Sequence, residues 1–161
     1  MGQFNTSQFV VVPSPFGGSA AIRLLPQDPT SNVDEWIMTD AQWSGSAQPG
    51  SHPGGYNVAG VADFTGSGTD GILWFNPTTG NVDEWVLQGG AWHASINLQS
   101  HPGSFSISGV GDFNGDGTAD VLWTNSSGGA IQTDIWELAP GGQWMAACSL
   151  DRIPVAMMSP G

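Results

Sequence analysis

Lysine is missing from this chain. Two arginines, Arg23 and Arg152, stand against 14 Asp and Glu, so the 161 residues carry a formal charge of −12 at pH 7. A surface of that sign repels phosphate backbones, which excludes nucleic acid as a partner, and it disfavours anionic membranes for the same reason. Cysteine is nearly missing too. The single thiol, Cys148, cannot close an intrachain disulfide. Its neighbours at 144–147 are apolar, so a small buried hydrophobe is expected there. No apolar run is long enough for a membrane-spanning helix, so no membrane insertion is expected, and residues 1–8 are polar and uncharged, unlike a cleavable leader. Helical periodicity is absent throughout.

What the chain does have is turn formers and aromatics. With 24 Gly and 11 Pro it is punctuated for many short strands, and its eight Trp supply enough apolar bulk for a core. The stretch 109–123, GVGDFNGDGTADVLW, stands out. Oxygen-bearing side chains fall at Asp112, Asn114 and Asp116, with a fourth at Asp120, and Gly115 and Gly117 between them permit a sharp backbone turn. Alternating oxygen donors of this kind wrap a hard cation such as Ca²⁺, which takes six to eight oxygens. An EF-hand is rejected, because its twelfth position needs Glu and is Trp123 here. An Asx-rich turn without metal is the plain alternative.

The same stretch exposes a repeat. His52-Pro53 through Asp63-Phe64 aligns with His101-Pro102 through Asp112-Phe113, 49 residues later. Asn32 to Trp36 aligns with Asn81 to Trp85 at the same offset, as do Trp43 with Trp92 and Trp74 with Trp123. In a third copy Trp136 and Trp144 follow after short insertions near 127–129 and 140–142. The second unit reads as four strands, about 55–62, 71–76, 82–88 and 91–98, joined by short Gly-containing turns. Four short strands per repeat with a recurring aromatic predict an all-β fold of β-propeller blades. The expected units are 1–49, 50–98 and 99–150 within one domain, 1–161, with 151–161 starting or completing a further blade. The front of the first unit looks worn, and its equivalent of the cation loop, 14–22, holds no carboxylate.

On these residues the chain resembles the FG-GAP/VCBS repeat family, whose repeats are like those of integrin α-subunit propellers and propeller lectins. The resemblance implies Ca²⁺ in the hairpin loop between the first two strands of a blade, an extracellular setting and a binding role. The ligands would be the side chains of Asp112, Asn114, Asp116 and Asp120 with the carbonyl of Thr118. The second unit keeps only Asp63, with Thr65, Ser67, Thr69 and Gly71 elsewhere, so a turn held by local hydrogen bonds is expected there and one Ca²⁺ per chain.

Repeated Trp have two readings. Trp36, Trp85 and Trp136 on the third strands, and Trp43, Trp92 and Trp144 at the start of the fourth, fit inter-blade core or a platform for sugar rings. The carboxylates beside them alternate faces along a strand, which suits no glycosidase pair, so no enzyme is expected. His52 and His101 are expected in turns or at the surface. The function expected is a secreted or cell-surface, calcium-stabilised propeller module for carbohydrate. A structural or protein-binding propeller, or a non-catalytic appendage of an exported enzyme, are the alternatives. Three blades do not close a ring, so either two chains assemble into six blades or the chain is part of a longer propeller.

Overall fold

In a computed structural model the chain folds into three four-stranded antiparallel sheets in sequence order. Residues 9–13, 19–24, 32–39, 42–101, 104–126 and 131–150 are described. Sheet 1 runs β1 (Phe9–Pro13), β2 (Ser19–Leu24), β3 (Asn32–Thr39) and β4 (Gln42–Ser51). Sheet 2 runs β5 (Asn57–Ala62), β6 (Gly71–Phe75), β7 (Asn81–Gln88) and β8 (Ala91–Ser100). Sheet 3 runs β9 (Ser106–Gly111), β10 (Asp120–Asn125), β11 (Gln132–Ala139) and β12 (Gln143–Ser149). Within each sheet every strand pairs with the next in sequence, and among the described residues no α-helix occurs.

Short-range chemistry sets this meander. Gly89 and Gly90 take positive φ at the β7–β8 turn, a conformation a Cβ disfavours. The β6–β7 turn is closed by Asn76, whose Oδ1 accepts from the N–H groups of Thr78 and Thr79 at 2.9 and 3.1 Å. Val82, Glu84, Trp85 and Leu87 are all buried, so β7 has two covered faces rather than one. On one face Ile72, Trp74, Trp85 and Leu87 pack with Val33 of sheet 1. On the other, Phe64, Leu73, Val82 and Leu98 pack with Val121, Trp123, Trp136 and Leu138 of sheet 3. Each sheet therefore buries its face against the next, which is the only way a thin meander acquires a core.

The sheets also keep a constant order from edge to edge. First strands adjoin first strands, β1 beside β5 and β5 beside β9, and fourth strands adjoin fourth strands, β4 beside β8 and β8 beside β12. This arrangement is consistent with propeller blades. Gly60 permits the close β5–β9 approach, since a Cβ there would stand 2.7 Å from Val110 Cγ1. Two main-chain bonds cross the seam between sheets 2 and 3: the N–H of Ala119 donates to the Asp63 carbonyl and that of Gly141 to the Thr65 carbonyl, both at 2.8 Å.

The first repeat is less worn than its sequence implies. Its front forms β1 and β2, paired from Phe9↔Arg23 to Pro13↔Ser19. What changed is the connection, 14–18, which is shorter than the 63–70 loop of sheet 2; strand pairing tolerates that loss because it depends on backbone groups. Residues 14–18 and 151–161 lie outside the described residues, as does the insertion at 127–129. Two expectations are corrected. Cys148 is exposed, not buried. It pairs with Ile135 on a face of sheet 3 that, in sheet 2, the next sheet covers. His52 and His101 are buried rather than superficial.

Candidate functional site

The loop 112–120 joins β9 to β10, so strands flank it on both sides. Asp112 closes it. Its Oδ1 accepts from the N–H groups of Gly115 at 2.6 Å and Asp116 at 3.2 Å, and its Oδ2 from Gly117 at 3.0 Å. These bonds, the one from Gly117 foremost, hold its carboxyl below the usual carboxylate range, so it stays ionised. Asn114 Oδ1 accepts from the Asp116 N–H at 2.9 Å, and Asn114 Nδ2 donates to Asp116 Oδ2 at 3.1 Å. Three exposed side chains thus cluster their oxygens in one loop, and no Lys or Arg occurs in the sequence between 24 and 151.

Thr118 and Asp120 are different, because both are fully buried. Asp120 Oδ2 accepts from the Phe113 N–H at 3.0 Å and Oδ1 from the Leu138 N–H at 2.9 Å. Leu138 follows the register shift in β11, so Asp120 fastens the loop to an irregular point of the third strand. The expected donor set is therefore split into an exposed triad, Asp112, Asn114 and Asp116, and a buried pair. Among the described residues no group of three His, Cys, Asp or Glu is disposed to hold a metal ion. The triad's all-oxygen chemistry fits a hard cation, and Asp120 keeps a second lone pair on each oxygen for one.

The second loop repeats the closure with hydroxyls at 65 and 67, keeping Asp63 and Asp70 as its carboxylates. Asp63 Oδ1 accepts from Ser67 N–H at 3.1 Å and Oδ2 from Gly68 N–H at 2.6 Å, the same pattern that Asp112 makes with Asp116 and Gly117. Thr65 Oγ1 donates to Ser67 Oγ at 2.8 Å where Asn114 meets Asp116. The expected set of local hydrogen bonds is present. The leading Asp thus closes the turn in both loops.

Five of the six Trp separate into two groups. Trp85 and Trp136 are buried, each stacked on a histidine: His52 lies 5.3 Å from Trp85 and His101 5.2 Å from Trp136 between ring centroids. Tyr56 and Trp74 complete the box around His52, as Phe105 and Trp123 do around His101. His52 Nε2 meets Asp83 Oδ2 at 2.9 Å, its Nδ1 donates to the Pro53 carbonyl, and His101 meets Asp134 at 3.3 Å. These Trp have no face left for a ligand. The His-Pro pair at each repeat start was the available signal for the box, but sequence spacing alone does not bring His52 to Asp83.

Trp43, Trp92 and Trp144 are 61%, 51% and 47% exposed. Each pairs with the residue just after a register shift, Met38, Leu87 and Leu138 respectively. The bulge re-aims the indole at the rim in all three sheets. The Trp92 indole N–H donates to Ser95 Oγ at 3.1 Å, and Ser95, Asn97 and Gln99 continue the exposed side of β8. Trp36 lies on β3, and its side chain lies outside the described residues.

No curated protein and no solved structure shows a significant match to the chain. A family model does. It matches residues 105–138, which span the front of sheet 3, the loop 112–120 and nearly all of β11. That part of the chain is similar to an FG-GAP repeat.

Proposed function

We propose that the chain is an exported β-propeller binding module, stabilised by one Ca²⁺ and directed at carbohydrate. The observation that carries the reading is the row of Trp43, Trp92 and Trp144, exposed at equivalent places by equivalent bulges. Pyranose faces stack on open indoles, and hydroxyl and amide side chains such as Ser95 and Asn97 take sugar hydroxyls. A charge of −12 favours neutral or amino sugars over sulfated or uronic ones.

Asp112, Asn114 and Asp116 would hold the ion, with the Thr118 carbonyl and Asp120. When bound, Ca²⁺ supplies only cross-linking, tying the exposed triad to the strand that Asp120 already grips. Loops of this modest charge fill at extracellular calcium levels, which supports export.

The test is a glycan array read with Ca²⁺ present. Binding is expected, weakened at least tenfold in Trp92→Ala, whose fold should be intact by circular dichroism. An array with no bound glycan would sink the carbohydrate reading and favour a protein-binding propeller.

A further inference from the structure

Sheet 2 and sheet 3 carry the same trailing face, one covered and one open, which makes the chain its own control. Phe64 is 0% exposed under sheet 3, while Phe113, its counterpart, is 48% exposed. Leu98 is 2% exposed and its counterpart Leu150 38%. Leu73 is fully buried and Leu122 half-buried. With Ile135 and Cys148 these residues make an apolar patch on sheet 3, bordered by Glu137, which shares the face of Ile135. The complement that covers such a face is already visible in the chain: it is the leading face of another sheet of this kind. Loop carbonyls take part as well. Asp63 and Thr65 accept N–H groups from sheet 3, and the corresponding carbonyls of sheet 3 belong to Asp112 and Asn114.

The two loops differ in charge. The docked loop of sheet 2 has hydroxyls, Thr65 and Ser67, where the loop beside the open face has Asn114 and Asp116. A second molecule of charge −12 approaching the open face meets Asp112, which adjoins Phe113 in the chain, and Asp116 of the same loop, with Glu137 on the sheet behind them. A divalent cation there removes the repulsion and fixes the loop that presents Phe113.

We propose that the trailing face of sheet 3 seats sheet 1 of a second copy of this chain, and that cation binding in the 112–120 loop and this docking are coupled. The coupling rests on the calcium reading above. Two copies joined head to tail at both seams close a ring of six sheets, within the usual range for propellers. By linkage, docking tightens cation binding by the factor that the cation tightens docking.

The experiment measures the mass of the 161-residue chain by light scattering, with Ca²⁺ and with a chelator, alongside calcium binding by calorimetry. Twice the 16.7 kDa chain mass is expected with Ca²⁺, and a dimer weakened at least tenfold without it. Phe113→Asp should be monomeric in both conditions while still binding Ca²⁺, and Leu150→Asp is the second variant should Phe113→Asp fold poorly. A monomer with Ca²⁺ demonstrably bound, or a dimer untouched by both substitutions, overturns the docking and leaves the calcium reading standing. Equal dimerisation with and without bound Ca²⁺ overturns the coupling. Absence of calcium binding with a dimer still present strikes the calcium reading, and the coupling with it.

Discussion

Glu84 should make the stability of this protein fall as pH rises through neutrality. It sits on β7 between Leu73 and Ile96, is fully buried, and neither carboxyl oxygen has a hydrogen-bond partner. Sheet 3 caps it: a Cβ on Gly142 would stand 2.5 Å from Glu84 Oε2. Burial, and then the charge of Asp63, push its carboxyl up from an ordinary 4.5 to about 7. The sign follows from that direction. The folded state holds the proton more tightly than the unfolded chain, so the contribution is fully present below about pH 4.5, declines between there and about pH 7, and is lost above. At roughly 1.4 kcal/mol per pH unit the loss is about 3 kcal/mol. Glu84→Gln removes the proton dependence. Urea unfolding of both proteins, in chelator, at a series of pH values isolates the effect, because other carboxylates largely cancel in the difference. The variant should gain about 3 kcal/mol on the parent between about pH 4 and pH 8, a few hundredfold in the folding constant. A difference that stays flat across that range would refute the reasoning, and would mean that the buried carboxylate is solvated or paired.

Asp116→Ala should abolish calcium binding by calorimetry and remove any rise in melting temperature on adding Ca²⁺, whereas Ser67→Ala, at the matching place in sheet 2, should leave both unchanged. Gly71→Asp copies Asp120 into sheet 2, where its Cβ would stand 2.8 Å from the Trp85 carbonyl and 3.4 Å from Glu84 Oε1. Alone it should destabilise by about 3 kcal/mol or more, and Glu84→Ile, the residue found at 135, should recover at least about 1 kcal/mol of that in a double-mutant cycle by urea unfolding.

The strands and the loops were legible for different reasons. Period-two patterning and Gly-rich turns put the strands of the second unit within two residues of where they lie, because each rests on local chemistry repeated at a fixed spacing. The front of the first unit was misjudged since alignment follows side chains, while β1 and β2 pair through backbone groups. That Asp112, Asn114 and Asp116 gather in one exposed loop was legible from alternation alone. The burial of Asp120 was not, because its partner Leu138 is 18 residues away on another strand. The His boxes were missed for the same reason: His52 and Asp83 are 31 residues apart. Cys148 was misplaced because local hydrophobicity says nothing about whether a neighbouring sheet is present.

Loop chemistry and seam chemistry are one problem in this chain. In sheet 3 position 120 holds a carboxylate whose two oxygens accept from the N–H groups of Phe113 and Leu138, and position 135 is apolar. In sheet 2 the matching positions are Gly71 and Glu84, so the carboxyl group reaches toward the same region from a different strand and finds no donors. Two substitutions thus account for two differences. Without an Asp at 71 the second loop lacks the carboxylate that ties Phe113 to Leu138 in the third, and with Glu84 in the seam it gains a buried acid that is tolerable only when protonated. The loop with fewer carboxylates is the one packed beneath a following sheet, and the loop that has Asp116 and Asp120 in addition to its leading Asp stands beside the open face. The covered seam already holds Asp63, Asp70 and Glu84, and burial raises the carboxyls of Asp70 and Glu84, so a further acid at 67 or 71 would add to that cost. Asp116, exposed beside the open face, meets no such desolvation.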